Sequence, residues 1–325
     1  MICKTFFLFP GQGAQYPGMA LDFLEQENSS LRIRRLFSLA REIFGRDPVA
    51  LLRDLSPEEL KRTDVSQPAI TLANLAAAAF LGEKGIMPAG CAGFSLGEYS
   101  ALAAAGVISE EDCLFLVEKR GKAMQAAIDR LPPWQEAPGM AAVIGLAPAL
   151  VEELIAKWEK SGIDAPSAAN INSPRQVVVS GSAAALNEAE KRFLEAGAKR
   201  FMRLEVAGPY HSPFMKQAAE EFNSFLDMVK YSDPLIPVFS NVSGKRITSG
   251  SEAKALSRRH ILEGVRWTDE ENSIALLEPE MLLETGPGRV LQGLWRQTKN
   301  DIPCYSAGTA AEINELEICD KEEVA

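Results

Sequence analysis

The chain has 325 residues and carries 34 Lys and Arg against 44 Asp and Glu, so its formal net charge is −10 at pH 7. Proteins that coat DNA or RNA usually have a basic excess, so we expect no nucleic-acid partner. Hydrophobic residues make up 46% of the chain and charged residues 24%, which is ordinary for a soluble globular enzyme. An anionic ligand would need a local basic site, because the field of the whole protein repels it.

Two features of the sequence concern its compartment. The cysteines form no CxxC pair and have no neighbouring histidine cluster, which excludes a disulfide framework and a zinc site and favours a reducing compartment. The apolar run at 5–10 is too short for a signal peptide. The longest apolar stretch, around Ile70–Leu81, is interrupted by Asn74 and is too short to span a bilayer. We therefore expect a cytoplasmic protein that makes no use of a membrane.

The first part of the chain predicts alternating strands and helices. In chain order, the pattern predicts a strand at 5–9, a Gly-rich turn at 10–15 that opens a helix, helices at Leu31–Phe44 and Ile70–Leu81, a strand at 90–94, a helix from Ser95 to Gly106, and a helix at Glu110–Ala127. Gly106 is a suitable C-terminal cap.

The middle of the chain follows a different order. The elements predicted there are a strand at Met140–Leu146, a helix at Pro148–Lys160, strands at Ser167–Ile171 and Gln176–Ser180, a helix at Ala183–Ala196 and a strand at Arg200–Val206. This β-α-β-β-α-β order is that of a ferredoxin-like module. Further strands are predicted at Ile236–Asn241 and Glu280–Glu284. We predict a main α/β domain of residues 1–129 and 207–310, an inserted subdomain of residues 130–206, and a frayed acidic tail at 311–325.

The segment GFSLG at 93–97 matches the G-x-S-x-G pattern. Between a strand and a helix this pattern places the serine on a strained turn, with the next backbone N–H directed at a developing oxyanion. The simpler alternative is a glycine-flanked serine in a tight turn. The flanking elements favour Ser95 as a nucleophile.

A serine nucleophile needs a base, and the chain has only two histidines. His211 lies in a loop between a predicted strand and a helix, where functional residues collect. His260 follows two arginines on a stretch that we interpret as an exposed helix. We favour His211 as the base, although a lone histidine is more often structural.

Two further patterns leave alternatives open. Arg120 could pair with an acid on the surface or could point inward and offer a planar fork to a substrate carboxylate. FPGQG at 9–13 could supply backbone N–H groups to an oxyanion, or could be only a turn. It is not a P-loop or GxGxxG, and the sequence contains no HExxH or EF-hand pattern.

Together these segments resemble the malonyl-CoA:acyl-carrier-protein transacylases. The blocks that carry the resemblance, in the family's order from residue 5 to about 305, are FPGQGAQYPGM (9–19), GFSLGEYSALAAAGVIS (93–109), EKRGKAM (118–124), GMAAVIGL (139–146), NINSPRQVVVSG (170–181), GPYHSPFM (208–215), SNVSG (240–244), VRWT (265–268) and ETGPGRVL (284–291).

The resemblance implies an α/β fold with an α/β-hydrolase-like core and an inserted ferredoxin-like subdomain. It implies Ser95 as nucleophile and His211 as base. The site residues that it further implies are the oxyanion-hole N–H groups of Gln12 and Leu96, Arg120 on the malonyl carboxylate, Met124 in the pocket, Asn170 and Asn172 near the pantetheine route, and the backbone carbonyl of Arg266 orienting the histidine.

The sequence departs from the family at one site position. The family usually has His directly before the nucleophile, and here the residue is Phe94. This substitution removes a polar side chain from the rim of the site and makes it more apolar, so it bears on rate and acyl selectivity. The nucleophile, the base and the arginine are retained.

The resemblance implies ping-pong transfer of malonyl from malonyl-CoA to the phosphopantetheine thiol of an acyl carrier protein, supplying fatty-acid synthesis. No metal or other cofactor is expected, and we expect a monomer. Three alternatives remain: an acyltransferase of a polyketide assembly line, a serine hydrolase that uses water as acceptor, and a non-catalytic docking module for the carrier protein.

Overall fold

The computed structural model describes residues 4–25, 30–54, 56–132 and 137–316. Its strands are β1 (Thr5–Phe9), β2 (Gly90–Gly93), β3 (Gly139–Ile144), β4 (Ser167–Ser173), β5 (Gln176–Gly181), β6 (Arg200–Arg203), β7 (Met281–Glu284) and β8 (Cys304–Ser306). Its α-helices are α1 (Leu21–Glu25), α2 (Leu31–Phe44), α3 (Pro48–Arg53), α4 (Thr63–Glu83), α5 (Gly97–Ala104), α6 (Glu110–Ile128), α7 (Pro148–Lys160), α8 (Ala183–Glu195), α9 (Lys216–Leu226), α10 (Gly250–Arg259), α11 (Trp267–Ala275), α12 (Val290–Gln297) and α13 (Ala310–Asn314).

One sheet is parallel, with its strands in the order β2-β1-β7-β8. Phe7 and Phe9 of β1 belong to the large apolar cluster that includes α4 and α6, while Phe6 and Leu8 pack in a second cluster with Trp267. Helices therefore cover both faces, as a parallel sheet requires, and β1 is apolar along its whole length.

The other sheet is antiparallel, with its strands in the order β4-β5-β3-β6. Helices α7 and α8 cover one face, where Trp158 packs against Phe193. Met140 and Val178 lie on the opposite face, in a small cluster that also contacts Tyr210. The edge strand β4 is joined to the rest of the protein, because Val265 donates to Ala169 O and accepts from Ile171 N–H. The structure is thus a mixed α/β fold with one parallel and one antiparallel sheet.

Helix α4 begins at Thr63, seven residues before the predicted start. Its first turn is stabilised by a residue that is distant in sequence, because the Thr63 N–H donates to the buried Gln125 side chain at 3.0 Å. Pro68 cannot donate to Asp64 O, and an Arg46 Nη2–H donates to that carbonyl instead at 2.6 Å. In the described ranges, α4 alone is long and apolar enough to span a membrane, but 89% of its most apolar window is buried within the fold.

Several predicted elements differ at their ends. The predicted strand Ile236–Asn241 is reduced to two isolated β-bridges, one between Val238 and Cys91 and one between Phe239 and Arg246. Pro237 has no N–H to donate to a neighbouring strand. The turn at 10–15 opens no helix directly, since α1 begins at Leu21. The prediction of a frayed tail is wrong for its first residues, because α13 is capped by Thr309. Residues 317–325 lie outside the described part.

Helices α4 and α6 approach each other closely at Gly121. A Cβ there would lie 2.6 Å from Thr63 O, a backbone atom that cannot move aside. We expect Gly121→Ala to lower the free energy of unfolding by about 1–3 kcal/mol. Gly293 in α12 is the matched control, since its Cβ would meet nothing within 4 Å. Gly293→Ala should stabilise slightly, by about 0.4–1 kcal/mol. Equal stabilities of the two variants in denaturant titrations would contradict this close approach.

Candidate active site

Ser95 lies in the sharp turn between β2 and α5. Its φ of 47° is in the left-handed region, which non-glycine residues rarely adopt. The turn is possible because its flanks lack side chains: a Cβ at Gly97 would lie 2.0 Å from Phe9 O. A Cβ at Gly93 would lie 2.0 Å from the Gly97 carbonyl group. The strand–turn–helix context predicted for GFSLG is confirmed.

Ser95 and His211 form a pair. Ser95 Oγ lies 2.9 Å from His211 Nε2. The other ring nitrogen, Nδ1, lies 2.8 Å from Glu263 O and 3.1 Å from His260 O. Because carbonyl oxygens only accept, Nδ1 carries the proton, and Nε2 is free to accept one from the serine hydroxyl. The structure thus brings together the two residues that the sequence singled out.

The prediction that the Arg266 carbonyl orients the histidine is wrong. Arg266 O accepts from the Asp269 and Glu270 N–H groups at 3.0 and 3.2 Å and so begins α11. The carbonyls that contact His211 are those of Glu263 and His260, at the end of the preceding helical segment. Sequence reasoning missed Glu263, because no side-chain pattern marks a backbone acceptor.

The interpretation of His260 as an exposed residue is also wrong. His260 follows α10 and is 1% exposed, and its ring meets the Tyr99 ring edge to face. Its backbone carbonyl is one of the two acceptors on His211 Nδ1. Of the two histidines, only His211 contacts Ser95, while His260 lies behind it with the ring centroids 5.9 Å apart.

Burial lowers the pKa of His211 to about 4, and the positive charge of Arg120 acts in the same direction. The hydrogen bonds to Glu263 and His260 oppose this shift, because they favour the charged ring. The pKa of His260 is also lowered well below its usual value, first by burial. His211 is therefore neutral at pH 7 and can take a proton.

The N–H groups of Gln12 and Leu96 lie on the two loops that meet beside Ser95. Gly11 makes this approach possible, since a Cβ there would lie 2.4 Å from Phe94 O. Within the described ranges, neither N–H donates a hydrogen bond to a protein acceptor. Two free donors at the ends of neighbouring parallel strands could stabilise a developing oxyanion.

Arg120 points inward and is 1% exposed, which decides between the two alternatives left open by the sequence. Its Nη1 donates to Gln67 Oε1 at 2.9 Å, while Nε and Nη2 have no acceptor among the residues that the structure describes. Gln67 in turn donates to Gln12 Oε1 at 3.1 Å and contacts Met124 Sδ at 3.3 Å. A buried guanidinium with two unpaired N–H edges is suited to bind an anion.

Sequence reasoning missed Gln67. This residue connects Arg120 to the loop of Gln12 and is fully buried in α4. The available signal was a long polar side chain just before the apolar stretch of this helix, because buried amides are usually held by partners.

A cleft of about 320 Å³ opens between the two sheets above Ser95 and His211. Met124, Asn170 and Asn172 line it, so the structure brings these predicted residues to one site. Phe94 also lines the cleft, and its ring packs edge to face on Trp267 with the centroids 5.5 Å apart. In the described residues, no group of three or more His, Cys, Asp and Glu is placed to hold a metal ion.

Comparison with known proteins gives matches over nearly the whole chain. The acyl transferase domain family matches residues 6–318. The malonyl CoA-acyl carrier protein transacylase of Bacillus subtilis (strain 168) is 38% identical over 291 residues, covering 90% of this chain and 89% of the relative.

Solved structures show the same fold. An acyl carrier protein S-malonyltransferase from Vibrio cholerae superimposes with a TM-score of 0.87 at 36% identity, covering 96% of this chain and 99% of that one. A malonyl-transacylase in complex with its type II PKS acyl-carrier protein superimposes with a TM-score of 0.85 at 34% identity, covering 96% and 98%. This chain therefore belongs to the acyl transferase domain family and, within it, to the malonyl-CoA:acyl-carrier-protein transacylases.

Proposed function

We propose that this protein transfers malonyl from malonyl-CoA to the phosphopantetheine thiol of an acyl carrier protein through an ester on Ser95. The observation that carries this proposal is the 2.9 Å contact between Ser95 Oγ and the unprotonated Nε2 of His211. The unpaired N–H groups of the buried Arg120 support a substrate that carries its own negative charge.

The first half-reaction forms the ester. His211 Nε2 takes the Ser95 hydroxyl proton as Oγ attacks the thioester carbon, and the carbonyl oxygen becomes an oxyanion under the N–H groups of Gln12 and Leu96. The C–S bond then breaks, and Nε2 returns the proton to the departing sulfur, releasing the CoA thiol. Malonyl remains on Ser95.

The second half-reaction reverses these roles. The pantetheine thiol loses its proton to His211 Nε2 as its sulfur attacks the ester carbon. The C–O bond breaks, and Ser95 Oγ takes the proton back. Each step exchanges one acyl bond for another with no net oxidation, so we propose that the reaction uses no metal and no resident cofactor.

We propose that Arg120 holds the malonyl carboxylate, with Gln67 fixing the orientation of its guanidinium. Met124 contacts Gln67 and would line the acyl pocket. Asn170 and Asn172 lie along the cleft wall on the antiparallel sheet, where they would contact the pantetheine arm. Phe94 presents an apolar ring to the same cleft, in place of the family's usual histidine.

The acceptor that we propose is an acyl carrier protein of fatty-acid synthesis, with the enzyme acting in the cytoplasm as a monomer. A polyketide carrier is the second candidate, because one structural relative was solved in complex with a type II PKS carrier protein. The chemistry at Ser95 is the same for both acceptors. Transfer rates to the two classes of purified carrier distinguish them.

We also propose that the parallel-sheet part is an α/β-hydrolase-like core and that residues 130–206 are an inserted ferredoxin-like subdomain. The strained turn at Ser95, between a strand and a helix, supports the α/β-hydrolase-like core. The element order β3-α7-β4-β5-α8-β6 and the strand order β4-β5-β3-β6 support the second.

Brief exposure to malonyl-CoA should add one malonyl mass to the protein, on Ser95, because the ester is an obligatory intermediate. Ser95→Ala should show no adduct, whereas Ser251→Ala, which changes an exposed serine, should label like the wild type. Intact-mass and peptide spectra give the result. Labelling of Ser95→Ala at another residue would refute the assignment.

The same experiment separates the alternatives. Adding a carrier protein should move the malonyl mass to its pantetheine arm. Release of free malonate despite saturating carrier would indicate a hydrolase. Absence of any adduct on the wild type would indicate a docking module.

Arg120→Ala should lower use of malonyl-CoA by about thirtyfold to several thousandfold, because removing one member of a buried charge pair typically costs about 2–5 kcal/mol. Acetyl-CoA has no carboxylate that needs Arg120, so the variant should still use acetyl-CoA. The measurement is the ratio of kcat/KM for malonyl-CoA over acetyl-CoA. Arg34→Ala, an exposed arginine, serves as the control. A ratio within about threefold of the wild type, less than 1 kcal/mol, would refute the carboxylate role.

The rate of Ser95 acylation should depend on pH through His211. The neutral ring is the active form and its pKa in the free protein is lowered to about 4. The second-order rate constant for acylation, measured at low substrate concentration, should therefore be constant near neutrality and fall to half near pH 4. With acetyl-CoA, Arg120→Ala should move this fall to higher pH, since a charge that lowers the pKa is lost. Rapid-quench measurements after a pH jump avoid prolonged exposure to acid. A wild-type pH–rate midpoint near the ordinary histidine pKa, about 6.5, would show that the pKa of His211 is not lowered.

A further inference from the structure

A single buried amide contacts both sides of the Ser95 turn. Asn241 Oδ1 accepts from the Ser95 N–H at 2.5 Å, and Asn241 Nδ2 donates to Gly93 O at 2.7 Å. Asparagine supplies one acceptor and two donors on a short side chain, so one residue can satisfy both peptide groups. The orientation of the amide follows from its partners, because an N–H can only donate and a carbonyl can only accept.

The amide is itself held in place from two directions. Its second N–H donates to Glu270 Oε1 at 2.8 Å, and His260 Nε2 lies 3.4 Å from Oδ1. The backbone of Asn241 is also fixed, because its N–H donates to Glu98 Oε2 at 2.7 Å. Its carbonyl accepts from the Arg266 N–H at 2.8 Å. Asn241 is 1% exposed, so water cannot replace these contacts easily.

Ser95 needs such support because of its backbone. A non-glycine residue at φ 47° is strained and persists only where surrounding contacts hold it. The hydrogen bond to Asn241 is the one that the Ser95 N–H makes within the described part of the chain. The neighbouring Leu96 N–H donates to no protein acceptor in the described part of the chain and remains free for an oxyanion. Asn241 therefore engages one N–H of the turn and leaves the next one unoccupied.

We propose that Asn241 is a positioning residue that holds the Ser95 turn in its strained conformation, so that Oγ stays in contact with His211 while the Leu96 N–H stays free. The inference rests on the proposed function and deepens it, since it concerns the same nucleophile. Asn241 does not itself line the cleft, and its hydrogen bonds to the turn are to backbone atoms, so it acts on the reaction through the backbone of the turn.

The proposal predicts an effect on rate and not on substrate binding. Asn241→Ala removes both contacts. Asn241→Asp keeps an acceptor for the Ser95 N–H but sets a carboxylate oxygen against Gly93 O and Glu270 Oε1. Each variant should lower the rate of Ser95 acylation by about tenfold to a hundredfold, as expected when buried hydrogen bonds are lost. The KM for malonyl-CoA should remain within about threefold of the wild type.

The experiment is rapid-quench acylation at saturating malonyl-CoA, with rates expressed per folded molecule from circular dichroism and thermal unfolding. Asn314→Asp, which changes an exposed residue of α13, is the control for the same chemical change elsewhere. A fluorophosphonate probe of serine nucleophiles is used in parallel and should show the same loss. Because this probe has no malonyl group or CoA, it tests Asn241 even if malonyl-CoA proves to be the wrong substrate.

Three results would overturn the proposal. One is a folded Asn241→Ala protein whose acylation and probe rates lie within about twofold of the wild type. Another is a loss confined to KM or to thermal stability. The third needs no variant: in the free wild-type protein, NMR hydrogen exchange should find the Ser95 amide proton strongly protected and the Leu96 amide proton less so. Equal exchange of the two would show that the contact to Asn241 is absent.

Discussion

The chemistry of this site depends on where the proton of His211 lies. Glu263 O and His260 O both face Nδ1, and two acceptors on one ring nitrogen require a hydrogen there. The nitrogen facing Ser95 must then be unprotonated. Among the described residues, the hydrogen-bond partners of Nδ1 are these two backbone carbonyls and no acidic side chain. A backbone carbonyl fixes the tautomer as well as a carboxylate does, and it adds no negative charge that would raise the pKa of the ring.

Burial and charge complete this arrangement. Arg120 and the apolar surroundings both disfavour a charged His211, so the base is kept neutral at the cost of some intrinsic basicity. The same arginine would hold an anionic substrate, which would neutralise its charge on binding. In the mechanism that we propose, the substrate carboxylate and His211 would therefore be coupled through one guanidinium. Binding of the carboxylate would weaken the influence that lowers the pKa of His211.

The sequence predicted those parts of the site that depend on local geometry. The glycines at 93 and 97 are needed because backbone atoms approach within van der Waals distance, and this requirement appears directly as a motif. The carbonyls on His211 could not be predicted from residue types, because every residue has one. The start of α4 was missed for a related reason: Arg46 and Gln125, distant in sequence, satisfy its first turn.

Residues outside the motif also explain why the turn can be strained and still be well defined. The Gly11 approach to Phe94 O joins the loop after β1 to the turn after β2 from one side. Asn241 holds the same turn by other atoms, through Gly93 O and the Ser95 N–H. Between these two supports the chain has little freedom to relax the φ of Ser95. The five-residue motif of this chain therefore has its conformation fixed by two segments distant in sequence, the loop of Gly11 and the segment that contains Asn241.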